Sequence, residues 1–220
     1  MTQPRVLETN QTISGRAYAE AFDQMQADLL KHGWLETDNL LSNSIMTGCA
    51  LEVGSGPGYF GLDWLLRTSD TRLVGLDISP DMVAIAGNHT REFGLVDRAE
   101  HIIGSAEAIP FENNIFDAVF TCRSLHEWLD PCAVFTELWR VLKPGGRLYV
   151  SDLRRDLPRS ACNFLYQRIC SDLIRETFRA SIAAAYTRTD VMALLVMAEI
   201  DICVVTETLF GLQVSGLKPA

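Results

Sequence analysis

The sequence has no C-x-x-C pair, and its four histidines do not stand at zinc spacing beside its six cysteines. No structural zinc module is therefore expected. No apolar run approaches the roughly 18 residues of a membrane helix, and Met1 to Glu20 lacks the apolar stretch of a secretory signal. Basic charge is also scarce: 19 Lys and Arg stand against 28 Asp and Glu, a net charge of −9. Phosphate-driven nucleic-acid binding needs the opposite sign in bulk, so no nucleic-acid partner is expected. Repeats, low-complexity tracts and linkers are missing. With 48% apolar residues the chain can bury a full core, which speaks against disorder. A cytoplasmic protein folded as one domain over residues 1–220 is the expectation. Thiols scattered at positions 49, 122, 132, 162, 170 and 203 fit a reducing compartment. Cys49 and Cys203 lie in apolar runs and read as small buried hydrophobes.

What is present is a change of rhythm along the chain. Ala17, Ala21, Met25, Leu29 and Leu30 recur at helical spacing, predicting a helix over 16–32 that Gly33 ends, and a second short helix is expected over 36–41. Five short apolar runs follow, at 49–53, 72–76, 100–103, 116–120 and 147–151, the last after the turn Lys143-Pro144-Gly145-Gly146. Helical stretches separate them at 59–67, 80–93 and 131–142. Ser79-Pro80 and Asp130-Pro131 supply a capping side chain with proline at the first helical position. Strands alternating with helices predict an α/β, Rossmann-like, doubly wound and mostly parallel sheet. A long helical region over 159–180 and another over 189–199 precede two last strands at 200–206 and 210–217. The link between those two is too short for a parallel crossover, so one reversed strand is expected near the end of a seven-stranded sheet. The chain thus divides into an N-terminal helical cap (1–45), a ligand-binding core (46–153) and C-terminal helices with the last two strands (154–220).

The most informative stretch is Leu51-Glu52-Val53-Gly54-Ser55-Gly56-Pro57-Gly58, between a predicted strand and a predicted helix. Alternate glycines let the backbone turn tightly and approach a ligand, at the strand end where open α/β sheets bind. A dinucleotide fingerprint wants glycine or alanine where this chain has Tyr59. Glu52, just before the loop, would repel a pyrophosphate and suits a cationic group instead. Asp77, 21 residues after Gly56, ends the second strand, where a carboxylate accepts from both hydroxyls of a ribose. It would also serve as a cap for the helix at Ser79-Pro80. A ribose beside a cationic, non-phosphate group describes S-adenosylmethionine.

In these residues the sequence resembles the class I S-adenosylmethionine-dependent methyltransferases, and within them the small-molecule group that includes the ubiquinone/menaquinone-biosynthesis methyltransferases. Four stretches carry the resemblance in order: 52–58; Gly75-Leu76-Asp77-Ile78-Ser79; Gly104-Ser105-Ala106-Glu107-Ala108-Ile109-Pro110-Phe111; and 116–120 with 142–148. They cover roughly residues 47–153. The resemblance implies that Glu52, Gly54, Ser55, Gly56 and Gly58 hold the methionine end of the cofactor. It implies that Asp77 takes the ribose, that Ile78 and Met82 pack on the adenine, and that Ala106 meets the adenine edge with Glu107 beside it. Ser105 stands where the family often has an acidic residue, and its hydroxyl is a weaker acceptor for the adenine amino group. The stretch Cys122-Arg123-Ser124-Leu125-His126-Glu127-Trp128 follows the fourth strand on the same rim. There the resemblance places Arg123 against the cofactor and His126 on the cofactor or acceptor side.

Methyl transfer is an in-line displacement, so alignment does most of the work and a base is needed only for an acceptor that loses a proton. His126 is the candidate base, or else shapes the pocket wall with Trp128. Tyr18, Phe22, Phe164, Tyr166, Phe178 and Tyr186 would form either an aromatic lid over a small-molecule acceptor or ordinary core. Arg154 and Arg155 would bind an acidic group of the acceptor, or sit in a solvated loop. A cofactor-binding module without turnover and a macromolecule methyltransferase remain as alternatives.

Overall fold

The apolar runs assemble into one seven-stranded sheet in the order β3-β2-β1-β4-β5-β7-β6. The computed structural model describes residues 4–7, 15–169 and 171–220. The strands are β1 (Gly48–Val53), β2 (Thr71–Asp77), β3 (Ala99–Ile103), β4 (Phe116–Cys122), β5 (Leu142–Asp152), β6 (Val204–Glu207) and β7 (Leu212–Leu217). Strands β1 to β5 pair in parallel, while β7 runs antiparallel to both β5 and β6. It is the single reversed strand, as expected. The chain winds outward from β1 through β2 to β3, then returns to place β4 on the other side of β1. Such a reversal is where open α/β sheets place their ligand crevice, here at the carboxyl ends of β1 and β4.

Helices cover both faces because both faces of the central strands are apolar. On one side, α5 (Pro131–Val141) and α8 (Arg188–Met197) pack Phe135, Leu138, Val191 and Leu195 onto Leu51, Val119 and Val150. On the other, α3 (Tyr59–Leu66) sets Phe60 and Trp64 against Ala50, Phe120 and Tyr149. Trp64 is fully buried and satisfies its indole N–H on the Ile45 carbonyl at 2.7 Å. The remaining helices are α1 (Arg16–Lys31), α2 (Thr37–Ser42), α4 (Pro80–Glu92), α6 (Arg159–Arg168) and α7 (Asp172–Ala184). A third apolar cluster joins Tyr18 and Ala19 of α1, Met82 of α4, Ile174 and Phe178 of α7, and Leu153 just after β5. This cluster is the core of a helical cap over the carboxyl rim. It draws α7 in from the C-terminal part, while Leu40 of α2 joins the sheet core instead.

Several boundaries differ from the sequence pattern. The helix expected over 159–180 is two helices, because the backbone turns extended at Ile169 and Ser171 starts a new N-terminus by accepting the Ile174 N–H. Apolar periodicity runs through this break and hides it. Cys170 lies outside the described residues. The strand expected from residue 200 begins at Val204. Residues 200–203 form a turn, with the Ile200 N–H on Leu195 O and the Cys203 N–H on Ile200 O. The glycine turn at 143–146 is absorbed into β5 as a bulge, with the Gly145 N–H on Lys218 O and the Lys218 N–H on Gly146 O. Cys203 is buried, whereas Cys49 is half-buried. Among the described residues no single helix is long and apolar enough to cross a membrane.

His101 on β3 wedges under the glycine-rich turn. Its Nε2 lies 3.0 Å from Thr90 Oγ1, and its ring fills the space that a side chain at Gly75 would need. Burial, aided by His89, pulls its pKa down to about 4 from 6.5. The unfolded chain therefore takes up a proton that the folded chain refuses. Stability contributed by neutral His101 is complete above pH 6.5 and falls as the pH drops toward 4, by up to about 3 kcal/mol. Urea midpoints at neutral pH and near about pH 4.5 should show a smaller acid loss in His101→Asn than in the wild type.

Candidate functional site

The crevice is shaped by one knot. The Gly54 and Ser55 N–H groups both donate to the Leu76 carbonyl, at 2.8 and 3.1 Å, tying the loop after β1 to the end of β2. The Gly56 N–H then donates to Asp77 Oδ2 at 2.7 Å, and the Ser79 N–H to Asp77 Oδ1 at 2.9 Å. Each Asp77 oxygen keeps a second lone pair for a ligand hydroxyl. Burial pushes the Asp77 carboxyl upward, against the three backbone N–H bonds that favour its charge. Asp77 steadies the chain before α4, while the helix cap itself is Ser79, whose hydroxyl accepts the Met82 N–H at 3.4 Å. Ile78 is 74% exposed beside it, an apolar side chain open on the crevice rim.

The glycines are demanded by close neighbours. Gly54 has φ +67°, and a Cβ there would stand 1.9 Å from Ser124 Oγ. Gly56 also has positive φ, and the Phe22 ring of α1 covers it at 3.5 Å from where a Cβ would sit. Phe22 stacks on Tyr18, and both belong to the apolar cluster of the cap. Below the loop, Glu52 is only 2% exposed. Desolvation, then the nearby Asp77 charge, holds its pKa well above the carboxylate range, and the Gly61 N–H partly opposes this. Glu52 Oε2 and Ser55 Oγ are buried without hydrogen-bond partners. A buried carboxyl with one oxygen lacking a partner, beneath a loop whose Gly54 and Gly56 are half-buried, suits a ligand with a positively charged donor group.

Across the crevice, Ser105 accepts the Glu107 N–H at 3.2 Å within its own turn, and Glu107 accepts the Asp130 N–H at 3.2 Å. Ala106 is half-buried against the sheet core. Met82 is 7% exposed in the cap cluster, so the plain core reading describes its packing. Arg123 has φ +61°; its N–H donates to Ser151 O at 2.7 Å and its guanidinium reaches Glu36 at 3.2 Å. Arg154 and Arg155 are held by carboxylates of this chain, Asp156 and Glu207 for the first and Asp190 for the second. Neither reads any longer as an open anion site.

His126 lies in a 3₁₀ turn, Leu125–Glu127, after β4 and is 4% exposed. Its Nδ1 lies 2.8 and 3.0 Å from the two oxygens of Asp152, the last residue of β5. Asp152 also accepts the His126 and Leu153 backbone N–H groups, both at 2.6 Å. Donors converge on this carboxylate, which assigns the ring proton to Nδ1, and Glu127 Oε1 lies 3.7 Å from Nε2 on the other side of the ring. Asp152 is the residue that sequence reasoning missed. The signal was available, since an acidic side chain at the carboxyl end of a central strand also singled out Asp77. Among the described residues no group of three His, Cys, Asp or Glu side chains is placed to hold a metal. A groove lined by Ser44, Asp117, Lys143 and Arg147 opens at the amino ends of the strands, remote from this rim.

Gly54→Ala should destabilise the fold by more than the ~1–2 kcal/mol of left-handed strain alone, because the new methyl collides with Ser124. Adding Ser124→Ala should recover the steric part and leave the backbone part, which a double-mutant cycle by urea denaturation separates.

Residues 51–150 match the family described as "Methyltransferase domain". The chain is 32% identical over 162 residues to a demethylmenaquinone methyltransferase of Roseiflexus castenholzii, covering 69% of this chain and 64% of that protein. It is 32% identical over 103 residues to the methyltransferase GfsG of Streptomyces halstedii, 47% of this chain and 37% of that protein. The chain thus spans between 37% and 64% of the length of these curated relatives. A crystal structure of an S-adenosyl-L-methionine-dependent methyltransferase from Methanococcus maripaludis superposes with a TM-score of 0.75 at 23% identity, over 99% of this chain and 98% of that one. The plantazolicin methyltransferase BpumL, solved in complex with SAH (S-adenosylhomocysteine), gives 0.75 at 13% identity over 96% and 93%. At such identities the likeness is one of fold. The strand order, the glycine loop with its aspartate partner and the sequence match over the same central residues agree: residues 51–150 carry a methyltransferase domain, and the chain has the fold of the S-adenosylmethionine-dependent methyltransferases.

Proposed function

We propose that this chain transfers a methyl group from S-adenosylmethionine to a small-molecule acceptor, releasing SAH. The observation that carries the reading is the placement of two devices on one rim: the glycine loop clasped by Asp77, and the His126–Asp152 pair. When bound, the cofactor supplies an electrophilic methyl on a sulfonium. The chain's residues do the rest. Asp77 accepts from the ribose hydroxyls, and the backbone of Gly54, Ser55, Gly56 and Gly58 takes the methionine end. Glu52 becomes charged beside the cofactor's ammonium, which offsets its desolvation. Ile78 covers the adenine with Met82 behind it. Ser105, Ala106 and Glu107 edge the ring, and Arg123 shapes the floor toward the acceptor.

His126 Nε2 removes the acceptor's proton, while Asp152 fixes the tautomer and steadies the charge that forms on the imidazole. This is the arrangement an alcohol, phenol or acidic carbon acceptor needs, since each must shed a proton as it is methylated. Packing of α1 and α7 over the rim excludes water from the transfer. The small-molecule class is supported by relatives named for demethylmenaquinone and plantazolicin.

Asp77→Asn should weaken SAH binding at least about tenfold by calorimetry, as expected when a charged acceptor of two hydroxyls is lost. An unchanged Kd would place the ribose elsewhere. A tritiated-methyl screen over phenols, quinols and sugars identifies an acceptor. With it, His126→Gln and Asp152→Asn should each lower kcat by about 10²-fold or more while leaving the SAH Kd unchanged. Wild-type turnover in His126→Gln would remove the base role.

A further inference from the structure

We infer that Arg5, in a short segment remote in sequence from the crevice, is a positioning residue for the His126–Asp152 pair. The inference rests on the reading of His126 as the acceptor-side base. Residues 4–7 dock against the end of α7, where the Val6 N–H donates to Ala183 O at 3.0 Å. Arg5 Nε donates to Ala184 O, and its Nη2 donates to His126 O at 3.0 Å across 121 positions of sequence. The guanidinium carbon lies 4.1 Å above the Tyr186 ring, which is itself buried.

Three physical reasons hold Arg5 there. The last carbonyls of α7 lack intrahelical partners and form the negative end of the helix dipole, so a cation that also donates satisfies both needs. The Tyr186 face adds a cation–π contact. The planar fork aims separate donors at two fixed carbonyls, one on α7 and one on the 3₁₀ turn, a span that a lysine ammonium does not reproduce.

The consequence falls on His126. Its N–H is already tied to Asp152 at 2.6 Å, and its ring to the same carboxylate. The turn's own bonds, Glu127 N–H to Ser124 O and Trp128 N–H to Leu125 O, leave the His126 carbonyl outside them. Arg5 takes that carbonyl. With both peptide groups of His126 anchored, the backbone that carries the ring is fixed relative to Asp152, so the Nδ1 contact at 2.8 Å is held in one geometry.

The test reads the ring itself and needs no acceptor. Histidine-labelled protein saturated with SAH is followed by ¹⁵N NMR, the His126 signals being assigned by their loss in His126→Gln. The wild type should show one tautomer, protonated at Nδ1, with a single titration. Arg5→Ala, which loosens the backbone that sets the distance from the ring to Asp152, should add signal from the second tautomer and shift the titration midpoint, with SAH affinity unchanged. Arg5→Lys, which keeps the charge at the helix end but not the fork, should follow Arg5→Ala. An unchanged tautomer and titration in Arg5→Ala would overturn the inference. So would full restoration by Arg5→Lys, which would reduce the role to charge at the helix end, or a parallel loss of SAH binding and thermal stability, which would make Arg5 a general structural residue. Wild-type turnover in His126→Gln removes the base reading alone, and the contact between Arg5 and the ring's orientation is still scored by the spectrum.

Discussion

The bond from the Gly56 N–H to Asp77 Oδ2, at 2.7 Å, is the constraint around which the crevice is built. It joins the loop after one central strand to the last residue of its neighbour. The positive φ angles of Gly54, Gly56 and Gly58 are the conformational condition for that bond. Because the loop is fixed, its backbone can face a ligand at close range. Because Asp77 is fixed, its remaining lone pairs point where the loop ends. Glu52 beneath the loop bears the cost of this arrangement, being a buried carboxyl whose charge is held back by desolvation and by Asp77 itself. Glu52 Oε2 and Ser55 Oγ, both short of partners, lie beside this same loop.

The cap and the sheet solve different problems. The sheet's two apolar faces are satisfied by helices in the usual layered way, and nothing in that packing requires α1 or α7. Those helices share a separate small core with Leu153 and Met82, directly over the strand ends. A cluster of that size is held by fewer contacts than the main layers, and regions of low local packing are the ones that open first. The rim is therefore covered by a cluster whose packing is separate from that of the sheet layers.

Much of this was legible in the sequence because it is written locally. The parallel strands are short apolar runs, and β1, β2, β3 and β5 end at a glycine or aspartate; α4 and α5 announce their starts with Ser79-Pro80 and Asp130-Pro131. Glu52, the glycines and Asp77 fall at spacings that the chain order alone sets. What was not legible depends on distant partners. Asp152 looks like any strand-end acid until His126 arrives from another strand's loop. Arg154 and Arg155 look open until Glu207 and Asp190 are brought up from the C-terminal segment. The division between α6 and α7 was masked because apolar spacing continues across it, and only the capping hydroxyl of Ser171 reports it.

The reversed strand β7 has a consequence for how the chain is made. It lies between β5 and β6, so β5, a central strand carrying Asp152 and the wall beside it, receives its outer neighbour only from residues 212–217. During synthesis from the N-terminus, the first five strands can align while one flank of β5 still shows a row of unsatisfied amides and carbonyls. Such a flank is a template for pairing with other chains. The window closes when the final hairpin slots in, antiparallel and local, the fastest kind of pairing available to it. Asp152 is the last β5 residue in register with β7, opposite Leu212, so completing the sheet also covers the strand end beside His126.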